Sequence, residues 1–174
     1  MTDEDLERRG RGVASMDAAT YRQVMGHFCT GVTIITAVDP DGGDPVGFTA
    51  QTFQSLSMEP PLVLFSPQKT SSTWPRIEAA GAFCVNVLSS DQEALCRAFA
   101  ASGTDKYRGV GWKPGPATGA PVLQGVLAWI EGRIASQVDG GDHVIVLGSV
   151  LDMEVVHEGK PLLFYRGGFG SFES

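Results

Sequence analysis

The stretch from residue 47 to residue 65, GFTAQTFQSLSMEPPLVLF, decides how the fold is interpreted. It begins like a strand, continues through nine residues (49–57) dominated by hydroxyls and amides, and returns to a run of leucine and valine. A polar loop between two core strands is the simplest interpretation. The alternative is that these polar groups face a ligand, and the rest of the chain is needed to choose between the two.

Segments with strand character lie on both sides of this stretch. GVTIITAV (31–38) is rich in β-branched residues, and the turn sequence DPDGGD (39–44) predicts a hairpin from it into PVGFTAQTF (45–53). Further strands are predicted at LVLFSP (62–67), at FCVNVLS (83–89), on both sides of DGGD (139–142) and at PLLFYRG (161–167). Six or seven strands joined mostly by hairpins favour a mainly β fold, an antiparallel barrel whose closure removes exposed edges.

Three short helices are predicted among these strands. The first is capped by Asp17, carries the apolar stripe Tyr21, Val24, Met25 and Phe28, and ends near Phe28. The second lies in TSSTWPRIEAAG (70–81), with Ser or Thr at its cap and Pro75 in its first turn. The third begins at Ser90, because Ser90 and Glu93 have the spacing of a capping box. Residues 102–121, rich in Gly and Pro, predict a long loop.

Composition limits the class of protein. A chain of 174 residues suits one domain, predicted here for residues 16–174, with residues 1–15 as a charged, flexible N-terminal arm. The net charge of −7, from 20 acids and 13 bases, argues against a nucleic-acid partner. Three cysteines without a C-x-x-C pair favour a reducing, cytoplasmic location, and no apolar run approaches the roughly 18 residues of a membrane span.

Several common active-site motifs are missing. The chain has no phosphate-binding P-loop, and Gly109-Val110-Gly111 does not continue as a dinucleotide fingerprint. The three histidines, His27, His143 and His157, have no metal-ligand spacing, so no metal site is expected. Cys29 is interpreted as a small core residue rather than a nucleophile. Hydrolase chemistry therefore has no support.

Two polar stretches remain, TAQTFQSLS (49–57) and KTSST (69–73). The second stands at a predicted helix entry, where free backbone N–H groups, hydroxyls and one cation suit a phosphate, although a plain capped helix start explains it too. A flat heteroaromatic ring with carbonyl and imide edges requires donors and acceptors like those of the first stretch. Together the two stretches describe a site for a flavin nucleotide.

The ordered combination of segments resembles the flavin reductase family over about residues 20–167. The resemblance rests on Arg22, Gly26, FCTGVT (28–33), GFTAQTFQSLSMEPPLVLF, FCVNVL (83–88) and GDH (141–143). These are small proteins with the FMN-binding split-barrel fold, and they supply reduced flavin to a separate oxygenase. The elements DGGDH and PLLFYRG are most similar to the reductase components of hydroxylases for aromatic or steroid-derived phenols.

The resemblance implies a role for each candidate residue. Thr49, Ala50, Gln51 and Thr52 would line the isoalloxazine, and Ser55, Leu56 and Ser57 would continue toward the ribityl chain and phosphate. Lys69, Thr70, Ser71, Ser72 and Thr73 would hold the phosphate, and Phe99 would lie near the adenine of FAD. Family members often carry Asn where this chain has Gln51. His143 would meet the nicotinamide, with Arg166 near that site; a locally bonded histidine and a surface salt bridge are the structural alternatives.

The implied reaction is hydride transfer from NADH or NADPH to the N5 atom of FAD or FMN, in which the cofactors carry the chemistry. The protein supplies geometry and donors near the flavin N1/C2 edge, so no catalytic triad is required. By the same resemblance we expect a homodimer and a separate oxygenase partner. Two alternatives stay open: an oxidase acting on its own substrate, and a flavin binder without turnover.

Overall fold

The fold is built on a seven-stranded antiparallel sheet with strand order β3-β2-β6-β9-β10-β5-β4. The computed structural model describes residues 17–172, so the predicted arm, residues 1–15, lies outside the described residues. The sheet contains β2 (Thr33–Val38), β3 (Pro45–Ala50), β4 (Gln54–Met58), β5 (Pro61–Phe65), β6 (Ala82–Val87), β9 (Ala128–Gly140) and β10 (His143–Val155). Its longest pairing joins the two thirteen-residue strands β9 and β10, as predicted on either side of DGGD.

Two smaller sheets complete the β structure. One has the order β1-β11-β12 and contains β1 (Thr30–Gly31), β11 (Leu162–Tyr165) and β12 (Gly168–Ser171), and the other pairs β7 (Trp112–Pro114) with β8 (Pro121–Leu123). The antiparallel, mainly β fold class is confirmed. The predicted number of strands is wrong, because the described residues form twelve. Strands of two to four residues, such as β1 and β7, are too short to show a periodic pattern.

The polar stretch of residues 49–57 overlaps a strand. Gln54–Met58 is β4, the sheet edge paired with β5, and the register shifts between Ser55 and Ser57. Its residues are mostly exposed, so the alternation of core and surface positions that marks a buried strand is missing. The loop proper is the short link between Ala50 and Gln54.

The main core lies against the middle of the sheet. The Phe65 ring meets Phe83 at a centroid distance of 5.0 Å and Trp74 at 6.1 Å, both edge to face. A Cβ atom added at Gly132 would stand 2.8 Å from the Phe83 ring, and one at Gly148 would also clash with it. Glycine at these two places on β9 and β10 lets the Phe83 ring approach the backbone of both strands closely.

The helices are α1 (Ala18–Met25), α2 (Trp74–Ala80) and α3 (Glu93–Ala100). Asp17 caps α1 as predicted, accepting from the Thr20 N–H at 3.0 Å, but the helix ends at Met25 and buries none of its residues. The N-cap residue of α2 is Thr73, but its side chain makes no capping bond; Ser71 Oγ caps the helix start instead by accepting from the Trp74 N–H at 3.1 Å, and Pro75 lies in the first turn. The capping box predicted at Ser90 is wrong, because α3 begins after Gln92 without a side-chain cap.

The loop predicted for residues 102–121 is fastened to the sheet by a buried carboxylate. Glu131 on β9 is fully buried, and its two carboxylate oxygens accept from the backbone N–H groups of Ala117 and Thr118, each at 2.8 Å. The Thr118 hydroxyl donates to the same carboxylate. These charge-assisted bonds satisfy the buried charge and fix the loop against β9. Within residues 17–172 no helix is long and apolar enough to cross a membrane.

Glu131→Gln should lower the free energy of unfolding by about 2 to 4 kcal/mol, because it replaces a charged acceptor with an amide that turns N–H groups toward other donors. Urea denaturation measures the change. Glu154→Gln on the exposed end of β10 is the matched control and should have little effect. Equal stability of the two variants would show that the buried carboxylate is not what holds the loop.

Candidate functional site

A cleft of about 1090 Å³ opens where α1, the turn between β11 and β12, and the link between β3 and β4 meet. Residues from the end of α1 to the start of β2 form one wall, and the link with the end of β5 forms the other. The lining residues are Tyr21, Arg22, Gln23, Met25, Gly26, His27, Phe28, Cys29, Thr30, Gly31, Gln51, Thr52, Phe53, Gln54, Leu64, Ser66, Phe164, Arg166 and Gly167.

The link between β3 and β4 is held in place by one side chain. Thr52 Oγ1 accepts from the Ser66 N–H at 2.9 Å and donates to the Ser66 carbonyl at 3.2 Å. Because this hydroxyl satisfies both backbone groups of Ser66, it ties the link to the residue that follows β5. Gln51, Phe53 and Gln54 are thereby presented to the cleft.

The opposite side of the cleft depends on a two-residue turn. Arg166 and Gly167 join β11 to β12 with φ values of 49° and 81°, and the Arg166 N–H donates to the Gly26 carbonyl at 2.9 Å. This bond connects the turn to the end of α1. The neighbouring rings of His27 and Tyr165 stand edge to face, with centroids 6.1 Å apart. The cleft is therefore framed by backbone contacts between segments far apart in sequence.

Charge is unevenly distributed around the cleft. Its lining includes two arginines, Arg22 and Arg166, and one histidine, His27, but among the described residues it includes no Asp or Glu. The chain as a whole has 20 acids and a net charge of −7. An anionic ligand is thus favoured here over the rest of the surface.

Three of the predicted site residues meet in this cleft: Gln51, Thr52 and Arg166. Thr49 and Ala50 do not line it, although they belong to the same predicted group. The Thr49 hydroxyl donates to the Cys96 carbonyl at 2.7 Å, and Ala50 is buried in the core. Both residues still belong to β3, so their side chains are used for packing before the chain reaches the link.

The remaining candidates from the first polar stretch lie elsewhere. Ser55, Leu56 and Ser57 lie on β4 and are not among the cleft residues. Phe99, expected near an adenine, has a fully buried side chain that meets the Tyr107 ring at 5.0 Å. It packs as a core residue on the inward face of α3, and its place near an adenine stays a prediction.

The second polar stretch, Lys69–Thr73, also lies outside the cleft. Lys69 Nζ pairs with Asp139 at 2.6 Å, Ser71 caps α2, and Thr70 is exposed. Ser72 and Thr73 line a second cavity of about 510 Å³. That cavity also contains Arg76 and Lys106, so the assignment of the stretch to a phosphate stays a prediction.

His143 is not among the cleft residues either. Its Nδ1 lies 2.6 Å from the carboxylate of Asp142, and this hydrogen bond lowers the pKa of the Asp142 carboxyl below its usual value. The side chain keeps 32% of its surface exposed. The arrangement fixes the imidazole at the start of β10, and a nicotinamide contact for it stays a prediction.

Sequence reasoning missed the wall formed by residues 21–31. It took the stripe Tyr21, Met25 and Phe28 for a buried face, yet these side chains are about half exposed or more. Cys29, interpreted as a core residue, is exposed and lines the cleft. One pattern in the sequence could have indicated this wall. The apolar stripe ends directly before a short Gly-containing segment, so the chain leaves the helix there and the stripe can continue onto a different surface.

Comparison with known proteins identifies the family. Residues 25–173 match the family described as flavin reductase like domain. The reductase subunit HsaB of a flavin-dependent monooxygenase from Rhodococcus jostii (strain RHA1) is 48% identical over 159 residues, which is 91% of this chain and 80% of HsaB.

Two solved structures are also similar. Nitrilotriacetate monooxygenase component B from Mycobacterium thermoresistibile has a TM-score of 0.85 and 43% identity, covering 98% of this chain and 89% of its own. The NADH:FAD oxidoreductase SgcE6 from Streptomyces globisporus C-1027, in complex with NAD and FAD fragments, has a TM-score of 0.85 and 37% identity, covering 94% and 97%.

The fold is that of a split-barrel protein with an open cleft beside its sheet. The chain belongs to the flavin reductase family. The resemblance found in the sequence, the split-barrel fold class and the enzyme class, flavin reductase, are confirmed.

Thr52→Val should destabilise the protein by about 1 to 2 kcal/mol, because it removes the hydroxyl that serves both backbone groups of Ser66. Chemical denaturation reports the loss. Thr104→Val is the control, since Thr104 is exposed and forms no side-chain hydrogen bond within residues 17–172. If both variants unfold at the same denaturant concentration, the Thr52 bonds do not hold the link.

Proposed function

We propose that this protein is an NAD(P)H:flavin oxidoreductase that reduces FAD or FMN and supplies the reduced flavin to a separate monooxygenase. The observation that carries the proposal is the composition of the cleft. The link between β3 and β4, which contains Gln51 and Thr52 of the residues predicted to line the isoalloxazine, forms one wall of a cleft that has apolar rings, two arginines and no acid among its described lining residues.

The residues present suit a flavin. Phe53, Leu64 and Phe164 provide an apolar surface for a flat ring, and the Gln51 and Gln54 amides supply donors and acceptors for its polar edge. Thr30 Oγ1 is buried without a hydrogen-bond partner in the described chain, which leaves a hydroxyl available beside the cleft. At about 1090 Å³ the cleft is near the upper end of the volumes typical of ligand pockets, which suits a ligand as large as a flavin nucleotide.

When bound, the flavin supplies the acceptor atom N5 for the hydride of a dihydronicotinamide. The chain's contribution is binding and alignment. Gln51 and Gln54 would orient the polar edge of the ring, while Thr52 keeps the link rigid through Ser66. Donors that are already fixed stabilise developing negative charge without reorganising at the moment of reaction. A nicotinamide contact at His143 is part of the proposal and would require the start of β10 to face the second ligand.

A homodimer is part of the same proposal. Large apolar side chains are exposed on the sheet edge and on β10, among them Met58 at 94%, Met153 at 65% and Val155 at 69%. The apolar stripe of α1 is uncovered as well. Exposed apolar side chains on neighbouring elements indicate a protein contact, and a second copy would cover them. A reducing, cytoplasmic location agrees with three free cysteines.

The purified protein should oxidise NADH or NADPH in the presence of FAD or FMN, followed as loss of absorbance at the nicotinamide band. Gln51→Ala should weaken flavin binding about 5- to 10-fold, since one positioned hydrogen bond contributes about 1 kcal/mol. Gln137→Ala, on the exposed part of β9, is the matched control. Flavin binding without nicotinamide oxidation would leave a binder or an oxidase with its own substrate and would overturn the proposed activity.

Met153→Asp should shift the protein from dimer toward monomer, because an unpaired carboxylate would be buried in the apolar contact. Light scattering coupled to size-exclusion chromatography gives the mass. Thr104→Asp adds the same charge on an exposed loop and should leave the mass unchanged. A wild-type protein that elutes as a monomer at micromolar concentration would contradict the dimer directly.

A further inference from the structure

We infer that Arg22 and Arg166 form a cationic rim that binds the phosphate groups of the dinucleotide hydride donor. The inference rests on the proposed function and adds to it the residues that recognise the nucleotide part of the donor. The chemistry recognised is that of a nucleotide phosphate, and the assignment is to the donor rather than to the flavin.

The charges of Arg22 and Arg166 have no salt-bridge partner within residues 17–172. Arg76 and Arg97 each form a salt bridge, with Asp39 at 2.5 Å and with Glu93 at 2.7 Å. Arg22 and Arg166 form none within residues 17–172; Arg108 and Arg133 form none either, but they do not line the cleft. Arg22 and Arg166 both line the cleft, whose nineteen lining residues include neither Asp nor Glu in the described chain. Two guanidinium groups are thus kept available where no carboxylate competes for them.

The backbone of Arg166 adopts an unusual, left-handed conformation. It occupies the first position of the two-residue turn between β11 and β12 with φ of 49°, and in residues 17–172 it is the one non-glycine residue with positive φ. Such turns favour Asn-Gly, because a Cβ atom crowds a backbone carbonyl oxygen in the left-handed region, where Gly has no Cβ and Asn is better tolerated than other residues. A residue held there against its preference points to a role for its side chain.

One backbone hydrogen bond brings the backbones of both arginines to the same rim of the cleft. The Arg166 N–H donates to the Gly26 carbonyl, and Gly26 follows Arg22 by one helical turn. A Cβ atom added at Gly26 would stand 2.9 Å from the Arg22 carbonyl oxygen and 3.6 Å from Arg166 Cα. The backbones of the two arginines therefore flank one residue on one rim. Each guanidinium offers five N–H donors in a planar fork, so a pair suits the several oxygens of a diphosphate.

The donor is favoured over the flavin by the position of the other phosphate candidates. Lys69 to Thr73, predicted to hold the flavin phosphate, do not line the cleft, and Ser72 and Thr73 face the second cavity with Arg76 and Lys106. With the flavin phosphate assigned to that cavity, which shares no lining residue with the cleft, the two cleft arginines remain for the second nucleotide.

The test uses the full chain with Arg166→Asn, Arg22→Ala and the double variant. Asn-Gly is the preferred sequence for this turn, so Arg166→Asn should keep or raise the melting temperature, and alanine suits a helix. With riboflavin as an acceptor that carries no phosphate, kcat/KM for NADH should fall about tenfold for each variant. With 1-benzyl-1,4-dihydronicotinamide, a donor without phosphate, it should stay unchanged. Affinity for ADP-ribose, measured by calorimetry, should fall by a similar factor.

Arg108→Ala removes the same charge from an exposed loop outside the cleft and should behave like the wild type. Equal losses with both donors would overturn the inference, as would a loss that appears with FMN or FAD but not with riboflavin. Unchanged ADP-ribose affinity would overturn it too. These results differ from a failure of the proposed function, in which the wild type would oxidise neither donor with any flavin.

Discussion

The pairing of β9 with β10 is the constraint on which the rest of the structure depends. These strands pair along nearly their whole length, from His143 opposite Gly140 to Val155 opposite Ala128. β9 carries β6 on its outer side, and β10 carries β5. Both halves of the sheet are therefore positioned by one hairpin. Gly132 and Gly148 lie on this hairpin and admit the Phe83 ring, so the register of the pairing also fixes the core.

The cleft lies at the joints between elements of this sheet. Its walls are the link after β3, the segment between α1 and β2, and the turn after β11, which are held by hydrogen bonds such as Thr52 to Ser66 and Arg166 to Gly26. Connecting segments on a rigid scaffold can carry polar groups that a core excludes. They also open more easily than core strands, so the site combines fixed neighbours with adjustable walls.

Much of the fold could be predicted from the sequence, because local sequence patterns indicate many of its strands and turns. The hairpin around residues 39–44 and the long strands around 139–142 follow from turn residues between β-branched runs. The edge strand β4 could not be seen in the same way, since its solvated residues lack alternation. The capping box at Ser90 failed because the helix begins two residues later: the Gln92 carbonyl accepts the first helical hydrogen bond, from the Cys96 N–H at 3.0 Å.

The candidate site likewise contains residues that could be predicted from the sequence and residues that could not. Gln51 and Thr52 were predictable because they follow the last residue of a strand, where side chains leave the core. The inward packing of the Thr49, Ala50 and Phe99 side chains could not be predicted, because a shift of one position along a strand or helix exchanges outward-facing and core-facing residues. That Lys69–Thr73 and His143 do not line the cleft depends on how whole segments pack, which no local pattern contains. A family resemblance gives the set of residues, but the contacts have to come from the structure.

The position of the cleft has a consequence for how such an enzyme passes on its product. A reductase that supplies a separate oxygenase has to release reduced flavin, and very tight binding would slow that release. Walls made of connecting segments, an open mouth and neutral amides at the ring edge suit moderate affinity. Arginines at the rim of an acidic protein attract incoming anionic nucleotides over a distance of about one Debye length, roughly 8 Å at physiological salt. Under the proposed function, attraction at the rim and neutral contacts inside would together favour fast capture without tight retention.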